Sequence, residues 1–334
     1  MDRRMNMKKQ VIIDCDPGID DSLALMYALA SPELEVIGIT VVCGNVPTDA
    51  GVENARKACR LMGREDIPIY AGAQAPLSRA LVTAQDTHGE DGLGEAGIPA
   101  VSEAERAYDH MTAAGADSDL PEGVRFLMER LSEGKISVIA IGPLTNIAMA
   151  LRRRPEAFSN LERLVSMGGN FKSFGNCSPV AEFNYWVDPE AARYVFEYSK
   201  VPVEMVGLDV TRKILLTPEM IAELKKLNHP MADFIVRVTG FYVDFHKIQE
   251  GIDGCVINDP LAVGYFIDRT LCSGIDAYTT VETEGLSVGQ SIVDEKGFWK
   301  KPANSRVLTN VDAKRFMRTF MAALFGNEAE GMVR

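Results

Sequence analysis

Short apolar runs alternate with amphipathic stretches along most of the chain. Val11–Ile13, Val36–Val42, Ile67–Tyr70, Ile136–Ile141, Leu164–Met167 and Val203–Val206 are brief and rich in Val and Ile. Most are separated by segments with apolar residues at helical spacing: Asp20–Ala30, Thr48–Met62, Glu122–Leu131, Leu144–Leu151 and Pro189–Tyr198. Continuously apolar strands divided by helices predict an α/β fold, with a mostly parallel, Rossmann-like central sheet flanked by helices. Ligands of such sheets sit beyond the carboxyl ends of the strands. The residues there are polar or glycine-rich: Asp14 and Asp16, then Gly44 and Asn45, then Gly142, Pro143 and Thr145, then Gly168, Gly169 and Asn170. These corners are candidate walls of one pocket.

Two regions break the alternation. Residues 72–120 lack clean periodicity and contain the polar loop Thr87–Gly94, and residues 171–187 are also irregular. Long irregular loops in a compact domain often serve as lids. Thr217-Pro218-Glu219 reads as an N-cap with Pro at the first helical position, and a long helix is expected over Pro230–Gln249. Strand-like pieces follow at Ala277–Glu282 and Arg306–Leu308, then a closing helix from Asp312. No Pro-, Gly- or Ser-rich linker and no repeat interrupts the chain. Residues 11–326 therefore read as one domain with lid-like insertions near 72–120 and 220–257, preceded by a flexible extension over 1–10.

Composition narrows the partners. A formal charge of −12 argues against nucleic acid, whose phosphates require clustered Lys and Arg. No stretch approaches the roughly 20 apolar residues of a membrane span, and no signal-type segment follows the basic first residues. The six cysteines lack CxxC spacing, several lie in apolar runs, and they read as free thiols of a cytoplasmic protein.

The chemistry concentrates at the first strand end. Asp14, Asp16, Asp20 and Asp21 fall within eight residues. Helix capping accounts for Asp20 and Asp21 but not for Asp14 and Asp16. Two carboxylates about 4 Å apart repel by ~4 kcal/mol at an effective dielectric near 20. A hard divalent cation removes that cost, and with no His or Cys nearby Ca²⁺ or Mg²⁺ fits better than zinc. Asn258-Asp259-Pro260 taken alone reads as an Asp cap followed by Pro. Glu182 and Asn184, flanking Phe183, either bind hydroxyls while the ring packs or belong to an ordinary loop.

Together these elements resemble the calcium-dependent nucleoside N-ribosyl hydrolases of the inosine–uridine-preferring kind. The resemblance runs from Asp14-Cys15-Asp16-Pro17-Gly18-Ile19-Asp20-Asp21 through Gly44-Asn45, Thr87-His88-Gly89 and Gly142-Pro143-Leu144-Thr145-Asn146. It continues through Met167-Gly168-Gly169 and Asn176 to Asp188-Pro189, and closes at Asp259-Pro260. It implies hydrolysis of a ribonucleoside to base and ribose by a soluble homotetramer or dimer, in nucleoside catabolism or salvage. Ca²⁺ would be held by the carboxylates of Asp16, Asp21 and Asp259 and by the backbone carbonyl of Thr145. Asp16 would also deprotonate the attacking water. Asp20 and Asn184 would bind the 2′- and 3′-hydroxyls, and Asn176 and Glu182 the 5′-hydroxyl. Asn45, Met167 and Phe183 would line the sugar pocket, His88 would lie near the base, and Asp14 would orient the ligands.

One position departs from the pattern. Many family members carry His where this chain has Asn258, and that His is assigned to protonate the departing base. An amide donates a hydrogen bond but transfers no proton near neutral pH. Asn258 is therefore expected at the substrate with an altered role. His246 is expected as an exposed or capping residue of the long helix, although Tyr242, one turn earlier, would share its face. Two alternatives accompany the hydrolase reading. One is a ribosyl-binding homologue with little catalysis. The other is a Mg²⁺-dependent phosphatase of the haloacid-dehalogenase type, from the strand-end Asp14-Cys15-Asp16.

Overall fold

Strand β1 (Lys9–Cys15) lies between β2 (Leu34–Val41) and β4 (Ile136–Ala140), parallel to both, and this placement organises the molecule. The computed structural model describes residues 8–101 and 117–333. Residues 1–7 of the expected extension and 102–116 of the first expected lid lie outside the described residues. The other strands are β3 (Ile69–Ala71), β5 (Leu161–Met167), β6 (Val203–Val206), β7 (Leu215–Leu216), β8 (Cys255–Val256), β9 (Cys272–Val281), β10 (Ser291–Asp294) and β11 (Ser305–Val311). Nine of them form one sheet in the order β10-β9-β11-β6-β5-β4-β1-β2-β3. The run from β3 to β11 is parallel, and β9 and β10 add an antiparallel edge. Strands β7 and β8 pair separately. The expected mostly parallel sheet is thus present. The β10 strand and the β7–β8 ladder were not expected, because two to four residues carry too little periodicity to signal a strand.

The helices are α1 (Ile19–Ala30), α2 (Thr48–Leu61), α3 (Gln85–His88), α4 (Glu122–Glu133), α5 (Thr145–Arg153) and α6 (Phe183–Val187). They continue with α7 (Pro189–Tyr198), α8 (Leu208–Thr211), α9 (Pro218–Leu224), α10 (Pro230–Glu250), α11 (Asp259–Ile267) and α12 (Ala313–Phe325). Thr217 caps α9 as its sequence suggests, its side chain accepting the Met220 N–H. Strand β1 shows why the sheet is covered on both faces. Val11, Ile13 and Cys15 join a core with residues of α1, α11 and α12, while Ile12 joins the opposite core with residues of α4, α5 and α7.

The strand order reverses beside β1. The chain runs outward through β2 and β3, then returns to place β4 on the other side of β1. This switch point opens a crevice beyond the carboxyl ends of β1 and β4. Asp16 leaves one wall and Gly142 the other.

Candidate active site

Alternation along β1 turns Asp14 away from the core that takes Cys15. Its Oδ1 accepts Thr40 Oγ1 at 2.5 Å and Asn146 Nδ2 at 2.8 Å. Its Oδ2 is buried without a partner. Burial drives its pKa up to about 7, with those two hydrogen bonds pulling the other way. Asn146 itself is held by the Ala73 N–H, so Asp14 ties β1, β2 and α5 together below the crevice.

Asp16 occupies the crevice floor. Its Oδ2 accepts the Asn45 N–H at 2.7 Å, and its Oδ1 is buried with no partner. A Cβ added at Gly44 would come within 2.0 Å of Oδ2, and one at Gly142 within 2.6 Å of Oδ1. The two glycines thus make room for this carboxylate. Burial first, then the charge of Asp21, raises its pKa well above the ordinary value.

The turn at Pro17-Gly18 starts α1 and brings in the next pair. Asp21 accepts the Gly18 N–H at 3.0 Å and Asn45 Nδ2 at 2.9 Å on Oδ2, and the Asp16 N–H at 3.2 Å on Oδ1. Its pKa rises to about 6 through burial and then through Asp20. Asp20 Oδ2 accepts the Asn258 N–H at 3.1 Å, Asn258 Nδ2 at 3.2 Å and Tyr242 OH at 3.4 Å.

Asp259 does not cap its helix as its isolated sequence suggests. Asn258 holds the cap position without a capping side-chain bond. Carboxylate oxygens of Asp20, Asp21 and Asp259 lie within 4.8 Å of one another. Burial, followed by the charges of Asp20, Asp21 and Asp16, pushes the Asp259 pKa far upward. Among the described residues no Lys or Arg pairs with Asp14, Asp16, Asp20, Asp21 or Asp259. The tight cluster contains Asp20 rather than Asp16, which lies adjacent through its backbone bond to Asp21. Thr145 begins α5 and is fully buried, its hydroxyl donating to Asp188 Oδ2 at 2.7 Å.

Above this floor is a cavity of about 580 Å³. Asp20, Asn45, His88, Met167, Asn176, Glu182, Phe183, Asn184, Asn258 and Asp259 all line it. Glu182 caps α6: its carboxylate accepts the N–H groups of Gly169 at 2.7 Å, Asn184 at 2.9 Å and Tyr185 at 3.2 Å. Burial still raises its pKa to about 7. Asn184 Nδ2 donates to the carbonyls of Ile141 at 2.9 Å and Met167 at 3.1 Å. Asn176 Oδ1 accepts the Phe183 N–H. The irregular 171–187 stretch is therefore a pinned wall.

His246 is the clearest correction to the sequence reading. It is 4 % exposed and lines the cavity with Tyr242, because α10 lays this face over the acidic floor. Their i, i+4 spacing was the available signal. Arg212, Phe174 and Trp186 also line the cavity and were missed. At its mouth the Arg212 guanidinium stacks 4.0 Å from the Phe174 ring centroid and pairs with Glu250 at 3.2 Å.

The inosine-uridine preferring nucleoside hydrolase family profile matches residues 11–318. The chain belongs to this family. It is a ribonucleoside hydrolase, an enzyme acting on N-glycosyl bonds. It is 35 % identical over 315 residues to the pyrimidine-specific ribonucleoside hydrolase RihA of Photobacterium profundum, covering 93 % of this chain and 97 % of the relative. Identity to the protein of the same name from a Shewanella species is 36 % over 323 residues, covering 95 % and 96 %. Among solved structures, the purine-preferring ribonucleoside hydrolase from Gardnerella vaginalis superposes with a TM-score of 0.85 at 32 % identity, covering 96 % of this chain and 99 % of the other. The inosine-guanosine nucleoside hydrolase (IG-NH) gives 0.83 at 31 % identity, covering 95 % and 99 %. These likenesses favour neither the phosphatase nor the non-catalytic alternative. Among the described residues no helix is long and apolar enough to cross a membrane.

Proposed function

We propose that the nucleoside is cleaved over the acidic floor, with Asp16 accepting a proton from the attacking water. The unpartnered Asp16 Oδ1 carries this reading: it is a buried carboxylate oxygen that nothing in the fold satisfies. An ionised Asp16 can accept a proton, and Asp20 and Asp259 of the same acidic cluster line a cavity of substrate size.

The donor set fits a hard cation. The clustered ligands are carboxylate oxygens, and among the described residues the charges lack a basic partner. We assign Ca²⁺ to the carboxylates of Asp16, Asp21 and Asp259 and the carbonyl of Thr145, with Asp14 holding the floor rigid. The short separations of the Asp20 carboxylate from Asp21 and Asp259 put it within reach of the same ion. When bound, the ion supplies the positive charge that keeps these groups ionised and oriented.

Asp20 and Asn184 bind the ribose 2′- and 3′-hydroxyls. Asn176 offers its amide N–H₂ to the 5′-hydroxyl, and Glu182 retains acceptor capacity for it. Asn45, Met167 and Phe183 enclose the sugar, and His88 and Asn258 border the base. Bond cleavage leaves positive charge on the sugar, which adjacent carboxylates stabilise. Segment 82–88 and helix α10 both border the cavity, which supports reading 72–120 and 220–257 as lids on a single domain. A cytoplasmic setting agrees with cysteines that are all unbridged. A homotetramer or dimer agrees with the exposed Leu286, Phe298 and Trp299 beside the β10 edge, and light scattering that gives a monomer would refute it.

The deciding assay is release of ribose from inosine and uridine, and of nitrophenol from a nitrophenyl riboside, with Ca²⁺ present. Release from at least one substrate is expected, and absence of release from all three refutes the reading.

A further inference from the structure

A departing base needs a proton, and position 258 offers only an amide. Two histidines and a tyrosine line the cavity close by, and their hydrogen bonds fix what each can do. His88 Nδ1 faces the Ile19 N–H at 3.1 Å. A backbone N–H can only donate, so Nδ1 is bare and the neutral ring carries its hydrogen on Nε2. Protonating Nδ1 would set two N–H groups against each other. Releasing the Nε2 proton would leave an imidazolate. His88 is thus confined to being a neutral hydrogen-bond donor. Tyr242 is also unsuited, since burial and the charges of Asp20 and Asp259 drive its phenol away from proton release.

His246 has the opposite arrangement. Its Nδ1 lies 2.8 Å from the carbonyl oxygen of Tyr242. A carbonyl can only accept, so Nδ1 carries the hydrogen and Nε2 is the free nitrogen. This ring takes a proton on Nε2 while keeping its hydrogen bond. The imidazolium so formed is held by the same carbonyl.

We propose that His246 supplies the proton that leaves with the base, the task for which position 258 lacks an imidazole, while His88 steadies the base as a fixed neutral donor. The C1′–N bond breaks with its electron pair passing to the base nitrogen, which takes the Nε2 proton of His246. The water oxygen bonds to C1′, and its proton passes to Asp16. Solvent then reprotonates His246 and deprotonates Asp16, so nucleoside and water become ribose and base. The charged and titratable groups around His246 are Tyr242 and Glu250 on its own helix, Asp20 on α1, His88 on α3, and Arg212 just after α8. Burial dominates and lowers its pKa, against the Tyr242 carbonyl, Glu250 and Asp20. A lowered imidazolium is the stronger acid once formed.

This inference rests on the hydrolase reading, and the test separates the two. The calcium-loaded enzyme is assayed on uridine, inosine and 4-nitrophenyl riboside, whose leaving group departs without a proton. His246→Gln should lower kcat on both nucleosides by about 10²- to 10³-fold, while the nitrophenyl riboside changes by less than about threefold. Retained nitrophenyl activity also shows that the variant is folded, and His246→Asn serves as a second variant with the same expected split. Adding Asn258→His to His246→Gln should recover at least about tenfold on the nucleosides. His88→Gln should not produce the split. Equal losses on natural and activated substrates, or no loss on the nucleosides, overturn the role of His246. A wild-type enzyme inactive on all three substrates overturns the hydrolase reading and this proposal with it.

Discussion

Helix α11 connects two buried acidic corners that are built in opposite ways. At its amino end lie Asp259, Asp20 and Asp21, without a basic partner among the described residues. Near its carboxyl end, Glu204 of β6 meets Arg163 in a two-pronged pair at 2.9 and 3.0 Å and Arg269 at 2.5 Å. Arg163 also stacks 4.4 Å from the Phe266 ring centroid and donates to the Phe266 carbonyl. Burial alone would raise the Glu204 pKa, but the two arginines outweigh it and hold the group below the ordinary range. At the other corner burial acts with like charges, and the pKa values of Asp21 and Asp259 rise. Buried carboxylates within one fold therefore differ in whether the fold completes them. Glu204 is a finished structural contact, whereas the aspartate corner has no countercharge among the described residues, which is the gap the proposed cation would fill.

The largest way to break this contrast is Asp16→Asn. It should lower kcat by at least about 10³-fold, ~4 kcal/mol of transition-state stabilisation. Its melting temperature in chelator should hold steady or rise, since a strained buried charge is removed. A fall as large as that of Glu204→Gln would make the corners equivalent. Next is cation binding. Calcium at about 100 times its Kd should add ~2.7 kcal/mol of stability, read as a melting-temperature increase of several degrees that shrinks in Asp16→Asn.

Glu204→Gln should cost ~2 kcal/mol while leaving kcat within about threefold, because it removes the buried charge that Arg163 and Arg269 share, and none of the three lines the cavity. The pH dependences should run in opposite senses. Glu204 has a lowered folded pKa, so its contribution is present above the unfolded value and is lost as pH falls through the folded one. Asp21 and Asp14, raised to about 6 and about 7, favour the fold fully below their unfolded values and lose that contribution as pH rises through 6 to 7. Melts from acid to neutral pH should therefore show the calcium gain growing with pH. A gain independent of pH would contradict the cation assignment. The smallest effect is expected from Asn258→His alone. It should raise kcat on nucleosides about fivefold, ~1 kcal/mol, with little change on the nitrophenyl riboside.

Much of the acidic corner was legible because its signals are local. Apolar alternation marked β1, and the spacing of Asp14, Asp16, Asp20 and Asp21 exceeded what capping needs. Asp259 was ambiguous, since Asp-Pro carries the same local signal whether the carboxylate caps a helix or reaches a partner 238 residues away, the separation between its neighbour Asn258 and Asp20. His246 was misread for a related reason. Helical spacing shows that Tyr242 and His246 share a face, but only the packing of Phe234, Ile235 and Val238 into the core decides what that face covers. The tautomers of His88 and His246 depend on single backbone groups of distant or preceding turns, which no residue pattern encodes. The edge strand β10 escaped notice because its four residues, Ser291–Asp294, are too few to establish a period.

The reach from Asp20 to Asn258 also sets a timetable. During synthesis, β1, β2, β4 and β5 can associate as soon as they emerge, but the proposed cation cage lacks Asp259 until most of the chain has been made. An immature chain thus carries clustered, unneutralised carboxylates that disfavour premature closure of the crevice. Under the proposed assignment, Asp259 is the last acidic residue of the cage to arrive and the one that permits ion capture. On the proposed assignment, competence to bind the ion marks the arrival of α11, and a nascent chain stalled short of it holds only the strands up to β8, without β9, β10 and β11 and without the reaction.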